Sequence, residues 1–325
     1  FKQKTAYEML RSLVGSEMCI RDRNRYRDRK NMCKYCIKYG DGKKWYLNPR
    51  NYSDEVIRGE STKVKMEDTL LGQLFGLKGT IQEIMTTAQR FKVDVGLGEK
   101  VDDVFPDLHD EAARVMREQI PAMMEQAVAG QVVPLEDAEK IIDLNEGDIF
   151  ILPCICRKYY GGREKMCCMF LRPAAEPLQR NIGSWDKPNK MVSKNEAKKI
   201  LRELDREGYI HGIFWCPAPV PTMLCNCDYP YCIAIRARFH YNVDEVFKKG
   251  EYVALVNSED CNGCGGAPRC QTRCIFGALK FSPTTSKVHV NQMQCWGCGL
   301  CCTACPNDAI KLVPREEIPQ LRNVW

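Results

Sequence analysis

CNGCGGAPRCQTRC, residues 261–274, and CWGCGLCCTACP, residues 295–306, stand twenty residues apart, and the rest of the chain is ordered around them. They hold nine of the 20 cysteines, so whatever this stretch does it does with thiolates. The flanks repeat along with the cysteines. Val256-Asn257-x3-Cys261 matches Val290-Asn291-x3-Cys295 at an offset of 34, and Cys274-x3-Ala278-Leu279-Lys280-Phe281 matches Cys305-x3-Ala309-Ile310-Lys311-Leu312 at an offset of 31. The difference of three is the extra length between Cys264 and Cys270, and the two runs are therefore copies of one unit.

The second run, Cys295-x2-Cys298-x2-Cys301-x3-Cys305-Pro306, has the spacing that holds a [4Fe-4S] cube, with three thiolates from one tight loop and the fourth from a partner run. The first run, Cys261-x2-Cys264-x5-Cys270-x3-Cys274, is the same device with a longer loop and no proline after its last cysteine. Gly263, Gly265, Gly266, Gly297 and Gly299 let the backbone curl round a cube and turn N–H groups toward sulfur. Ile275, Phe276, Leu279, Trp296, Leu300 and Ile310 are expected to wall it from water. Zinc also accepts four thiolates, but its ligands usually come as two separated CxxC units.

With these motifs, residues 252–313 resemble a bacterial two-cluster ferredoxin domain, in which each half supplies a strand, a cysteine loop and a short helix. The resemblance implies that the last cysteine of each run crosses over. Cluster one would take Cys261, Cys264, Cys270 and Cys305, cluster two Cys295, Cys298, Cys301 and Cys274, and Cys302 would be spare. The five-residue spacer Gly265–Arg269 departs from the family's pattern, and a looser hold, an altered potential or solvent access is the consequence expected for cluster one.

Upstream, the 325 residues allow two domains or one large domain with a small appendage, and 44% apolar content is that of a globular protein. Twenty cysteines in so long a chain point to metal ligands in a reducing compartment rather than a disulfide framework, hence to the cytoplasm. The formal charge of +6 falls to about +2 once two cubes of net charge 2− are counted, which removes the argument for nucleic acid. No apolar run reaches the ~18 residues of a membrane span. Residues 1–23 resemble a translated sequencing adapter, with an amphipathic helix as the alternative, and 1–31 are set aside as a non-native or disordered leader. Met32 is then the candidate start, with no signal peptide.

The expected class is α+β. A mostly helical region spans 32–131, a cysteine-rich α/β middle domain 132–250, the ferredoxin domain 251–315 and a tail 316–325. The first region carries Cys33-x2-Cys36, which reads as half a metal site, a redox pair or two idle thiols, then an aromatic strand or extended segment through Trp45-Tyr46-Leu47. Helices are expected over 64–90 and 108–128. In the middle, a helix over Leu135 to Leu144 leads to the strand Ile149-Phe150-Ile151-Leu152 and to Cys154-Ile155-Cys156-Arg157. A second unit of the same form starts at the capping box Ser193-x2-Glu196 and ends in a strand, Tyr209 to Trp215, before Cys216, which suggests an internal repeat.

Eight cysteines fall between Cys154 and Cys232, and small hydrophobic filler accounts for only one or two of them. Cys154, Cys156, Cys167, Cys225, Cys227 and Cys232 are candidates for a third centre, iron-sulfur or zinc, with Cys33 and Cys36 as further donors. The Cys154-Ile155-Cys156-Arg157 and Cys225-Asn226-Cys227 segments also resemble a broader group of iron-sulfur proteins with CxCR and CNC segments ahead of a two-cluster ferredoxin domain. Asp228 to Tyr231 depart from that group's denser cysteines, and the resemblance implies no particular reaction.

The function these features favour is electron transfer by a relay in, or subunit of, a larger oxidoreductase system. A redox enzyme using the third centre, and a cluster-based sensor or assembly factor, are the alternatives. No nucleotide or flavin motif is present, so the electron donor is expected to be a partner protein. Arg157, Lys158, Arg163 and Lys165 are candidates for steering an acidic partner, set against an ordinary solvated surface. Oligomeric state, substrate and catalytic residues are not legible in this pattern.

Overall fold

The computed structural model describes residues 33–57, 129–154, 156–157, 163–182, 189–215, 219–240, 246–321 and 324. The leader, the helices expected over 64–90 and 108–128, Lys158 and Cys216 lie outside the described residues.

The middle of the chain builds a seven-stranded sheet from two copies of one βαββα unit. The first copy is β1 (Ala129–Val132), α3 (Leu135–Leu144), β2 (Ile149–Pro153), β3 (Met166–Phe170) and α4 (Ala175–Ile182). The second is β4 (Lys190–Val192), α5 (Lys194–Glu207), β5 (Ile210–Trp215), β6 (Pro221–Cys227) and α6 (Ile233–His240). The strand order β4-β2-β3-β6-β5-β1-β7, closed by the short β7 (Phe247–Lys248), reads the same from either end apart from β7. Each copy lends its first strand to the other: β1 pairs antiparallel with β5, and β4 with β2. Cys168 and Cys225 sit opposite each other at the central β3–β6 seam, and each is followed five positions on by a proline, Pro173 or Pro230. A two-fold relation between the copies passes through this pair.

Alternation along the strands sorts the side chains onto two faces. One face carries Ile149, Ile151, Cys167, Met169, Ile213, Trp215 and Leu224, covered by Ala138, Ile141 and Ile142 of α3 and Ala197, Leu201 and Leu204 of α5. The other carries Phe150, Leu152, Cys168 and Phe170 against Leu178 of α4, and Ile210, Phe214 and Cys227 against Ile235 of α6. α5 forms where the sequence signals it. Ser193 Oγ accepts from the Glu196 N–H, and Gly208, at φ +100°, ends the helix with its N–H on the Leu204 and Asp205 carbonyls. The Glu196 carboxylate turns to Lys190 rather than back to Ser193. Leu201 is fully buried on α5. Leu201→Ala should destabilise the protein by about 2–5 kcal/mol, read as a lower urea midpoint of the anaerobic protein.

Residues 33–57 have no core of their own. They comprise α1 (Lys34–Tyr39), two 3-10 turns (Trp45–Leu47 and Pro49–Tyr52) and α2 (Asp54–Ile57). Trp45, Tyr46 and Leu47 are thus a turn, not the extended segment expected. The Asn48 and Asn51 side chains bind the carbonyls of Tyr39 and Trp45 and fold the backbone over. Tyr35 and Trp45 pack on Trp215 at ring distances of 4.3 and 4.8 Å, which joins this segment to the sheet.

The C-terminal part repeats strand, cysteine loop, five-residue helix and strand twice. It runs β8 (Tyr252–Val256), α7 (Arg269–Arg273), β9 (Leu279–Ser282), then β10 (Lys287–Val290), α8 (Leu300–Ala304) and β11 (Ile310–Pro314). β8 pairs with β11 and β9 with β10, so each half's outer strands clasp the other's. No helix among the described residues is long and apolar enough to cross a membrane.

Candidate metal centres

Two cavities open inside the C-terminal part. One is lined by Cys295, Cys298, Cys301 and Cys274. The other is lined by Cys261, Cys264, Cys270 and Cys305. Each thus gathers three cysteines of one run and the last cysteine of the other. Cys302 lines neither and lies beside Cys301.

The loops reach this shape through glycine at the residue before each second cysteine. Gly263 and Gly297 have φ of +63° and +69°, and a Cβ would stand 2.4 Å from the Ser286 carbonyl oxygen or 2.2 Å from that of Tyr252. A side chain fits neither the dihedral nor the space. The lengthened loop opens with Cys264 and Gly265 at φ +51° and +65°, and Gly265, Gly266 and Ala267 are exposed, so the extra residues bulge outward.

Burial acts on the thiols of both cavities. Burial pushes the thiols of Cys295 and Cys298 up, and the Ala254 N–H, 3.4 Å from Cys295 Sγ, works against it. Burial also pushes Cys270 up, to about 11. Arg315, fully buried, donates to the carbonyls of Gly250, Tyr252 and Cys295, and burial lowers its own pKa.

Apolar walls separate the second-run cavity from water. Phe276 stacks on Trp296 at 4.8 Å and 5°, and Phe239 and Phe247 pack on Trp296 at 5.4 and 6.0 Å. Ile275, expected in this wall, is 41% exposed, because the chain turns outward directly after Cys274. The apolar cluster around Trp296 and Leu300 extends into the sheet to Phe214, Cys227 and Cys232, with Cys225 at one margin and Cys298 at the other.

The middle thiols form a second assembly. Cys168, Cys225 and Cys227 share one face of the sheet by register, Cys232 lies at the start of α6, and Cys154 and Cys156 follow β2. The neighbouring thiols of Cys156, Cys167 and Cys168 favour charge on Cys154 and pull it well below the ordinary thiol value. Cys168 is raised through Cys154, Cys225 through Cys168, Cys227 through Cys225 and Cys232 through Cys227, which traces one continuous row of sulfurs. Arg157 ties the two segments together: it is buried, donates to Asp228 Oδ2 at 2.6 Å and to Tyr209 Oη at 2.9 Å, and lies over Tyr231. Arg157 is therefore not a steering charge for an acidic partner, and Lys165 is paired with Glu207.

Cys33 and Cys36 do not join this row. Their sulfurs lie with a carboxylate oxygen of Glu251, all within 4.8 Å of one another. Cys168 and Glu251 were not legible as site residues. Cys168 is marked only by strand alternation beside Cys167, and Glu251 by nothing local, since 215 positions separate it from Cys36.

Comparison with known proteins agrees with this chemistry. Residues 288–311 match the family described as 4Fe-4S binding domain. Over 88 residues the chain is 31% identical to the indolepyruvate oxidoreductase subunit IorA of Pyrococcus abyssi, covering 26% of this chain and 13% of that one. Over 63 residues it is 38% identical to an uncharacterised ferredoxin of Methanocaldococcus jannaschii, covering 19% of this chain and 34% of the relative. The chain thus spans a minor part of the length of either relative. Its C-terminal part carries a 4Fe-4S binding domain, similar to segments of these relatives.

Proposed function

We propose that the chain holds two [4Fe-4S] clusters, one on Cys261, Cys264, Cys270 and Cys305 and one on Cys295, Cys298, Cys301 and Cys274, with a third iron-sulfur centre in the middle domain. The observation that carries the reading is the pair of cavities, each lined by three cysteines of one run and the last of the other. When bound, the clusters supply one-electron acceptance and release. The chain's residues supply the thiolates, the N–H donors that bias their charge, and the stacked rings of Phe276 and Trp296 that line the second-run cavity.

Support for the third centre is the row from Cys154 through Cys168, Cys225 and Cys227 to Cys232. A conduit between this row and the second-run cavity is supported by the apolar cluster that Cys227 and Cys232 share with Leu300 and against which Cys298 packs. The protein is then a relay whose middle domain and ferredoxin domain form one conduit, working as an oxidoreductase subunit between redox partner proteins. Anaerobic iron and acid-labile sulfide analysis of the full chain should give about twelve of each per chain. A value near eight removes the third centre, and a value near four removes the two-cluster reading as well.

A further inference from the structure

Outside the iron-sulfur cavities, the described residues bring three metal-ligating groups together at one buried point. Cys33 Sγ, Cys36 Sγ and a Glu251 carboxylate oxygen lie within 4.8 Å of one another. Cys36 Sγ is 3.1 Å from Glu251 Oε1. All three residues are buried, at 2%, 2% and 7% exposure. A tetrahedral zinc with Zn–S of about 2.3 Å and Zn–O of about 2.0–2.2 Å sets its donors roughly 3.5–3.8 Å apart, so shifts of about an ångström or less bring these atoms into register.

The surroundings are those of a ligand set. Cys33 Sγ accepts from the Cys36 N–H, and Cys36 Sγ accepts from the Trp45 N–H, both at 3.4 Å. Gln131, on β1, donates through Nε2 to Glu251 Oε1 at 2.9 Å, and its own orientation is set by Trp45 Nε1, which donates to Gln131 Oε1 at 2.7 Å. Such outer hydrogen bonds fix the direction of a ligating carboxylate. Among the described residues no basic side chain forms an ion pair with Glu251, and a buried carboxylate with two buried thiols is costly without a compensating cation. Arg315, within electrostatic reach of Glu251, donates to the backbone carbonyls of Gly250, Tyr252 and Cys295.

We infer that Cys33, Cys36 and Glu251 bind one thiophilic divalent cation, zinc, at a site separate from every iron-sulfur centre. Two thiolates and a carboxylate suit zinc among the divalent metals, and three protein donors leave the fourth tetrahedral position to water. The site joins three segments: the helix α1, the strand β1 through Gln131, and the connector between β7 and β8 on which Glu251 lies.

The test is elemental analysis of the full chain, purified anaerobically after growth with added zinc. One zinc per chain is expected beside the iron. Cys33→Ser/Cys36→Ser should lose that zinc and keep its iron, and Cys305→Ser should lose iron and keep its zinc. Glu251→Gln keeps the site's shape, so it guards against a misfolded double variant. It should weaken zinc binding about 10-fold or more in competition with a chelator. Cobalt(II) added to the zinc-free chain should show thiolate-to-metal charge-transfer absorption that the double variant lacks. Zinc absent from the wild-type chain, zinc unchanged in the double variant, a Cys33–Cys36 disulfide in the anaerobic protein, or iron lost from the double variant would each overturn the assignment.

Discussion

Cys305→Ser is expected to release about four irons per chain, and the cluster it releases is the one whose other ligands lie in the opposite run. Cys305 belongs by sequence to the run of Cys295, Cys298 and Cys301, yet it lines the cavity of Cys261, Cys264 and Cys270. A serine oxygen is a poor substitute for a thiolate on iron. That cavity also has the longer loop, which lines it with Cys264 while Gly265, Gly266 and Ala267 stand exposed. Double substitution reads the assignment without spectral bookkeeping. Cys264→Ser added to Cys305→Ser should cost no further iron, whereas Cys298→Ser added to it should cost about four more. The reverse pattern, with Cys298→Ser silent and Cys264→Ser additive, would mean that each run keeps its own fourth cysteine.

Gly297→Ala should strip the second-run cluster and destabilise the domain by about 3 kcal/mol or more. The informative control is Gly265→Ala, because both glycines have nearly the same dihedral, φ +69° and +65°. Left-handed backbone costs an L-residue about 1–2 kcal/mol at either position. They differ in what a methyl would meet: the Tyr252 carbonyl oxygen at 2.2 Å for Gly297, and nothing within 4 Å for Gly265. The β8 backbone that carries Tyr252 is held by β11 over its whole length and cannot retreat. Iron content and thermal midpoint of the two anaerobic variants make the comparison. Equal losses from both would show that dihedral strain alone, not the close approach to β8, governs the loop.

What could be read from the sequence was local. The cysteine runs, their duplicated flanks, and the cap and stop of α5 at Ser193 and Gly208 are all written within a few positions of the residues they govern. The paired helix–strand units were visible too, but their extent was not. The strand that completes each copy is three or four residues long and lies beyond the other copy's sheet, so no local pattern announces it. Long-range polar partners were hidden for the same reason. Arg157 read as a surface charge because its counter-charge, Asp228, is 71 positions away, and Cys36 had no visible partner because Glu251 lies on a connector in another part of the chain. Trp45, Tyr46 and Leu47 have strand-forming side chains, yet the asparagines that follow them bind backbone carbonyls and impose turns.

The exchange of first strands between the two sheet copies bears on the order in which this chain can be made. β1 leaves the ribosome long before β5, its partner some eighty positions later, and β2 must wait for β4. Neither copy can close its own sheet, and such distant pairings form slowly because the loops they close are long. The central strands β3 and β6, which carry Cys168 and Cys225, meet only when both copies are present. A nascent first copy therefore exposes Cys154, Cys156, Cys167 and Cys168 without the thiols that complete their row, which makes the interval before β6 emerges the one in which oxygen or a stray metal does most harm.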